Sequence, residues 1–337
     1  MTMKPSNARY DWQLPWRFVA CRCVSCKVSR VLSLSLALAF SACFSALAYA
    51  ENHAIVVTGL GGDAHYSEQF SNTGTVVYDS LQTLDVDADR VVFLDETATK
   101  NDILKAINDV YPRIEEPSVA VFYLFLIGHG NADSEGWRFN VAGPDLTTAD
   151  IVAALNPLSS VQQLIVLASS ASGAALEILS QPGRVVVTAT KSGGEINAVR
   201  FPEYLAEALR SPQSDIDRNE ILTIAEAFRY AESRTVEYYE QQNLLAPEHA
   251  RLRGDNATDI PLALLGSLKD ASKEPEVAAL LAERLVLESR FKTLKEAKPS
   301  MSKPDYYQEL EVLLLEIARL QQSIDFATGW SENDAGS

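Results

Sequence analysis

One histidine and one serine in this sequence each follow an apolar run and lie near glycine, a setting that suits acid–base and nucleophilic chemistry. His129 stands between Gly128 and Gly130, so its imidazole would be exposed and open to a substrate backbone. Ser170 lies in LASSASG at 167–173, where a strand-to-helix turn would present its hydroxyl beside backbone N–H groups. The pair predicts a base, a nucleophile and an oxyanion site. An ordinary turn histidine and a serine-rich helix cap are the alternatives.

An acidic segment at 215–226 has the spacing of a calcium-binding loop. Its potential ligands are Asp215, Asp217, Asn219, the backbone carbonyl of Ile221, and Glu226. Glu220 stands where such a loop has glycine, and this change weakens the required turn. Thr223 and Glu226 also match a helix capping box. The segment therefore predicts either a structural calcium site or a helix start.

The glycine-rich turn GLGGDA at 59–64 satisfies the dinucleotide pattern G-x-G-x-x-A. An acidic residue that binds a ribose should follow about twenty residues later, but Asp95 comes 36 residues after Gly59. We interpret the turn as a tight exit from a strand. No nicotinamide cofactor is expected and no cofactor is required; a calcium ion at 215–226 is the one candidate.

The elements that must position these residues alternate between β-branched runs and amphipathic stretches, which indicates a parallel sheet covered on both faces. The predicted strands are AIVVTGL at 54–60, RVVFLD at 90–95, VAVFYLFLI at 119–127, LIVLASS at 164–170 and RVVVTAT at 184–190. Function in such sheets collects at the carboxyl ends of the strands, where His129 and Ser170 fall. From residue 198 onwards the pattern predicts helices and turns without further strands.

The segment 274–327 predicts an antiparallel α-helical hairpin. Apolar residues at 306, 310, 313, 317, 320 and 324 keep a 4-3 spacing, and the linker KPSMSKP at 298–304 contains two prolines. A two-sided apolar seam packs on its own domain in most proteins. Self-association or the docking of a partner is the alternative.

Together, the segments around His129 and Ser170 resemble the caspase and legumain-like peptidases. In that family a catalytic His followed by Gly ends one strand, and a catalytic Cys within Asp-Ser-Cys-x-Ser-Gly ends the next. The matching residues here are Ala168, Ser169, Ser170, Ala171, Ser172 and Gly173, so Ser170 takes the nucleophile position. The resemblance spans roughly residues 52–242 and looks closest to secreted bacterial relatives of legumain.

This resemblance implies a three-layer α/β/α caspase-like sandwich over residues 51–266, followed by the helical hairpin. His129 and Ser170 would form the catalytic pair, intact or vestigial. The residues implied at the oxyanion site and substrate pocket are Gly130, Ala171, Ser192, Gly193 and Glu195.

The serine at position 170 predicts a pseudopeptidase. A cysteine thiolate is accessible near neutral pH, whereas a serine hydroxyl needs a hydrogen-bonded base and usually a third, orienting residue. The acid nearest to His129 in sequence is Asp133. We therefore expect an inactive homologue that binds or scaffolds a peptide or protein. The alternatives are an active peptide or ester hydrolase that uses Ser170 and His129, and a cell-envelope assembly protein that acts through the hairpin.

Residues 1–50 have the features of a cleaved signal peptide, because an apolar run follows a basic stretch and ends in Ala48-Tyr49-Ala50. A retained anchor or a lipidated Cys43 is the alternative. All four cysteines lie in this leader, so cleavage after Ala50 excludes disulfides and thiolate chemistry. Cleavage would also change the net charge from −16 to about −21. We expect a periplasmic or secreted protein with protein or peptide partners, because this charge disfavours nucleic acids and anionic lipids.

Overall fold

The computed structural model describes residues 52–84, 88–115, 117 and 120–328. The predicted signal peptide lies outside the described residues. The strands are β1 (His53–Thr58), β2 (Val91–Leu94), β3 (Val121–Ile127), β4 (Gly130–Asp133), β5 (Gly136–Phe139), β6 (Leu146–Thr147), β7 (Gln162–Ala168), β8 (Arg184–Thr188), β9 (Ile221–Thr223), β10 (Arg251–Arg253) and β11 (Pro261–Leu264). The α-helices are α1 (Ala64–Leu81), α2 (Lys100–Asn108), α3 (Thr148–Leu155), α4 (Leu176–Leu179), α5 (Phe201–Ala208), α6 (Ile224–Gln241), α7 (Gly266–Ala271), α8 (Pro275–Ala297) and α9 (Lys303–Thr328).

The central sheet has the strand order β10-β8-β7-β3-β1-β2. The four pairings among β2, β1, β3, β7 and β8 are parallel. All seven residues of β3 are buried, as expected of a strand whose two faces both pack against helices. The predicted α/β class with a mainly parallel sheet is confirmed.

The prediction that no strand follows residue 198 is wrong. β10 adds an antiparallel edge to β8, and β9 and β11 form a separate antiparallel pair. In β10 the two arginines are exposed and only Leu252 packs against the core. The strand therefore lacks the apolar run that identified its neighbours. β9 is only three residues long and follows the acidic segment directly.

Helices pack against both faces of the sheet. Helices α1, α5 and α6 contribute side chains such as Val77, Leu205 and Ala227 to the core on one face. Helices α2, α3 and α4 contribute to the core on the other face. Capping boxes begin α2, α3 and α6, where a threonine and the acid three residues later bond to each other's backbone N–H. Within the described ranges, no helix is both long enough and apolar enough to cross a membrane.

Helices α8 and α9 lie antiparallel. Arg284 of α8 donates to Gln321 of α9 at 2.7 Å, and Arg290 pairs with Glu316 at 3.3 Å, so residue numbers rise along one helix as they fall along the other. The apolar seam between the helices includes Leu287, Leu294, Tyr306, Leu313, Leu320 and Ile324. The same cluster contains side chains of β9, β11 and α7. The hairpin is thus anchored on the domain that precedes it.

Candidate active site

The segments around His129 and Ser170 follow neighbouring parallel strands. Ile127 at the end of β3 is paired with Ala168 at the end of β7, and the N–H of Gly128 donates to the Ala168 carbonyl at 3.3 Å. His129 and Ser170 each come two residues after these strand ends. The fold therefore brings the two predicted catalytic residues to one edge of the sheet.

Close backbone packing joins the two segments. The indole N–H of Trp137 donates to the Ser170 carbonyl at 3.2 Å. A Cβ atom at Gly130 would lie 2.8 Å from that carbonyl oxygen, so a side chain does not fit there. A Cβ atom at Gly173 would lie 2.2 Å from backbone atoms of Lys191 and Ser192. The glycines of both motifs thus allow three loops to meet.

The Ser170 hydroxyl is hydrogen-bonded to a backbone carbonyl. Its Oγ donates to the backbone carbonyl of Asn197 at 2.9 Å, and the residue is only 3% exposed. The His129 ring instead makes edge contacts with Tyr66 and Phe70, at centroid distances of 4.7 and 5.0 Å. Among the residues that the structure describes, no hydrogen bond joins His129 to Ser170. A base that takes a proton from a serine must accept that hydrogen bond.

Two backbone donors of the turn at 171–173, including that of the predicted oxyanion residue Ala171, are engaged within the protein. Ala171 has a left-handed backbone with φ 58°, and its N–H donates to the Glu195 carbonyl at 2.8 Å. The N–H of Gly173 donates to the Thr190 hydroxyl at 2.9 Å. An oxyanion hole needs free donors aimed at the reacting oxygen. In this conformation the turn uses both N–H groups to bind the loop after β8.

Glu195, a predicted pocket residue, binds a histidine that the sequence analysis did not single out. Its Oε1 lies 2.5 Å from Nδ1 of His249, and its Oε2 accepts the backbone N–H groups of Lys191 at 2.8 Å and of His249 at 3.1 Å. Burial opposes the charged form of Glu195, but the bonds from Lys191 and His249 together lower its pKa. The two other predicted pocket residues, Ser192 and Gly193, lie exposed and half-buried in the same loop.

Glu248 fixes the neighbouring loop to the start of α5. Its buried carboxylate accepts the backbone N–H groups of Arg200 at 2.7 Å and Phe201 at 3.1 Å. It also accepts the Tyr239 hydroxyl at 2.8 Å. Burial raises the pKa of Glu248 despite these bonds. The loop that carries His249 is thus fixed beside the loop that carries Glu195.

The acidic segment brings three of its five predicted ligands together. Carboxylate oxygens of Asp215, Asp217 and Glu226 lie within 4.8 Å of one another. Asn219 directs its Oδ1 to the N–H of Ile221 at 2.7 Å. Ile221 lies in β9. Burial and the nearby carboxylates raise the pKa of Asp217.

The same segment also forms the predicted capping box. Oε2 of Glu226 accepts the N–H of Thr223 at 3.0 Å and its hydroxyl at 2.7 Å. Glu220 has a left-handed backbone with φ 60°. The left-handed turn expected of glycine therefore forms with glutamate, and the segment begins helix α6.

The fold and site define an α/β protein with a mainly parallel sheet, in which a histidine and a serine follow neighbouring strands at the carboxyl edge and no hydrogen bond joins them. No protein-family model matches the chain, and no curated protein sequence matches it.

Proposed function

We propose that the protein is a secreted caspase/legumain-like peptidase homologue that binds a peptide or protein without cleaving it. The hydrogen bond from the Ser170 hydroxyl to the Asn197 carbonyl carries this proposal. It directs the only proton of that hydroxyl to an atom that cannot act as a base. Export through the predicted leader, with the exported domain acting outside the cytoplasm, is part of the same proposal.

The competing serine hydrolase would need two rearrangements. The Ser170 hydroxyl would have to leave Asn197 and reach His129, and the Ala171 N–H would have to leave Glu195. Each rearrangement breaks a hydrogen bond whose net contribution is about 1 kcal/mol. In addition, both atoms lie in a turn where Gly173 packs directly against the loop after β8. The geometry of this conformation therefore disfavours hydrolysis.

Exposed apolar side chains on the loops of this edge support peptide binding. Ile196 is 70% exposed, and Leu245 is 96% exposed. Glu248 and His249 connect the two loops that carry these side chains. Exposed apolar side chains on anchored loops are available to contact a bound segment. We expect the bound segment to present apolar residues to Ile196 and Leu245.

Selection of a random-peptide phage library on the immobilised protein tests this proposal. We expect enriched peptides to bind the unaltered protein and to bind at least tenfold more weakly to Ile196→Asp and Leu245→Asp, because a charge then faces the apolar peptide. Ile178→Asp is the matched control, because Ile178 is also exposed but lies on α4. Mass spectrometry after incubation should find the peptides intact.

Two outcomes would contradict the proposal. If the protein cleaves the enriched peptides and Ser170→Ala stops cleavage, the hydrolase alternative is correct. If no peptide is enriched, or if Ile196→Asp and Leu245→Asp both bind the peptides as strongly as Ile178→Asp does, this edge is not a peptide-binding surface.

A further inference from the structure

The outer face of α9 carries apolar side chains that the hairpin does not bury. The buried side of this helix includes Tyr306, Leu313 and Leu320. The exposed large apolar residues of the same helix are Tyr307, Val312, Leu314, Leu315 and Phe326. Leu315 projects almost opposite Leu313, because two residues span about 200° of a helix with 3.6 residues per turn. Phe326 lies on the same side as Leu315, because eleven residues span about 1,100°, close to three full turns. Exposed apolar side chains on that side are available to a partner.

Two opposite charges flank Leu315 symmetrically. Glu311 lies four residues before it and Arg319 four residues after it, and both are exposed. Neither side chain forms an ion pair with any residue in the described part of the chain, whereas nearby Glu316 pairs with Arg290. The order along the helix is therefore acid, leucine, base, at equal spacing.

We propose that this face binds a second copy of the chain, with the two α9 helices antiparallel about a two-fold axis at Leu315. In that register Glu311 of each copy faces Arg319 of the other, and the two Leu315 side chains meet between the two ion pairs. A parallel arrangement in the same register would set Glu311 against Glu311 and Arg319 against Arg319. Charge complementarity thus selects a second copy and its orientation, since a C2 interface places one patch against itself. This inference does not depend on the proposed peptide binding.

The size of the face predicts a weak dimer. A helix of 26 residues is about 39 Å long, and one helix face buries less than the roughly 800 Å² per partner of a standard interface. We expect a dimer that forms at micromolar concentrations and dissociates on dilution.

Sedimentation velocity of the purified protein from about 1 to 200 µM tests the inference. The unaltered protein should shift from monomer to dimer over this range. Glu311→Arg and Arg319→Glu should each remain monomeric, because like charges then face each other in both pairs. The double variant with both changes should recover dimerisation, because it exchanges the charges and keeps them complementary.

Leu315→Lys should also abolish the dimer, and Val236→Lys is its control because Val236 is exposed on α6 instead. Circular dichroism should give all variants the same melting temperature at low concentration, since the altered side chains are solvent-exposed in the monomer. A monomer at every concentration would overturn the proposal. A dimer that survives Leu315→Lys, or a double variant that stays monomeric, would overturn this interface.

Discussion

The edge of the sheet that carries Ser170 and the acidic loop at 215–226 both lack a residue that their motif requires. At the sheet edge, the proposed relationship to caspase/legumain-like peptidases places serine at the position of their cysteine. In the acidic loop, Glu220 stands where a calcium loop has glycine. The loop nevertheless keeps its turn, with Glu220 at φ 60°. At the sheet edge the serine is present, but its hydroxyl donates to Asn197 and makes no bond to His129.

The difference shows that side-chain hydrogen bonds can compensate for the loss of glycine at a left-handed turn. They cannot compensate for the loss of a reactive group. The Glu220 carboxylate accepts the Ser267 hydroxyl at 2.6 Å and the Leu268 N–H at 2.8 Å. These bonds offset the cost of a left-handed turn, which is about 1–2 kcal/mol for a residue with a Cβ. No comparable contact can make Ser170 a nucleophile while its proton is bound elsewhere.

The largest expected effect on the free energy of unfolding comes from replacing Gly173, and the matching change in the acidic loop is at Glu220. Gly173→Ala should lower the free energy of unfolding by about 3 kcal/mol, because its Cβ would overlap the backbone of Lys191 and Ser192. Glu220→Gly should change it by less than about 1 kcal/mol, because relief of the turn offsets the two lost side-chain bonds. Urea unfolding of both variants measures this difference. A larger loss for Glu220→Gly would reverse the comparison.

Calcium binding by the acidic loop stays a prediction, and its expected effect is intermediate. A divalent ion would remove the repulsion among Asp215, Asp217 and Glu226. At ten times its dissociation constant it would stabilise the fold by about 1.4 kcal/mol. We expect calcium to raise the melting temperature of the protein and to have less effect on Asp217→Asn. An unchanged melting temperature in saturating calcium would contradict calcium binding, and the only role left for this segment would be to begin helix α6.

The smallest expected effect concerns Glu195, whose lowered pKa makes its contribution depend on pH. Stabilisation by a carboxylate with a lowered pKa is present above its ordinary value of 4.5 and is lost as the pH falls through the lowered value. Glu195→Gln should therefore cost about 1 kcal/mol at neutral pH and nothing once Glu195 is protonated. Urea unfolding of the unaltered protein and of Glu195→Gln, at neutral and at acid pH, measures this difference in the free energy of unfolding. A loss that is independent of pH would show that the Glu195 charge does not stabilise the loop.

The sequence predicts the parallel strands well because their apolar runs are continuous. VAVFYLFLI at 119–127 contains β3, and LIVLASS at 164–170 overlaps β7. The position of His129 and Ser170 at the same edge of the sheet follows from these two strands being neighbours. β10 could not be predicted this way, because one leucine between two arginines gives no periodic signal.

The hydrogen bonds that decide the state of the site could not be predicted from the sequence. The acceptor of the Ser170 hydroxyl is a backbone carbonyl at Asn197, and any residue type can supply that atom. His249 and Glu195 are 54 residues apart, so no local spacing connects them. Both contacts depend on how the loops pack after the sheet has formed.

Labelling with a serine-reactive fluorophosphonate probe tests the central claim most directly. The purified protein would be compared with Ser170→Ala and His129→Ala, each with and without calcium. We predict no labelling of the unaltered protein above that of Ser170→Ala, because the Ser170 hydroxyl is buried and bound to Asn197. Labelling that disappears in both variants would establish Ser170 as a nucleophile activated by His129 and would contradict the account.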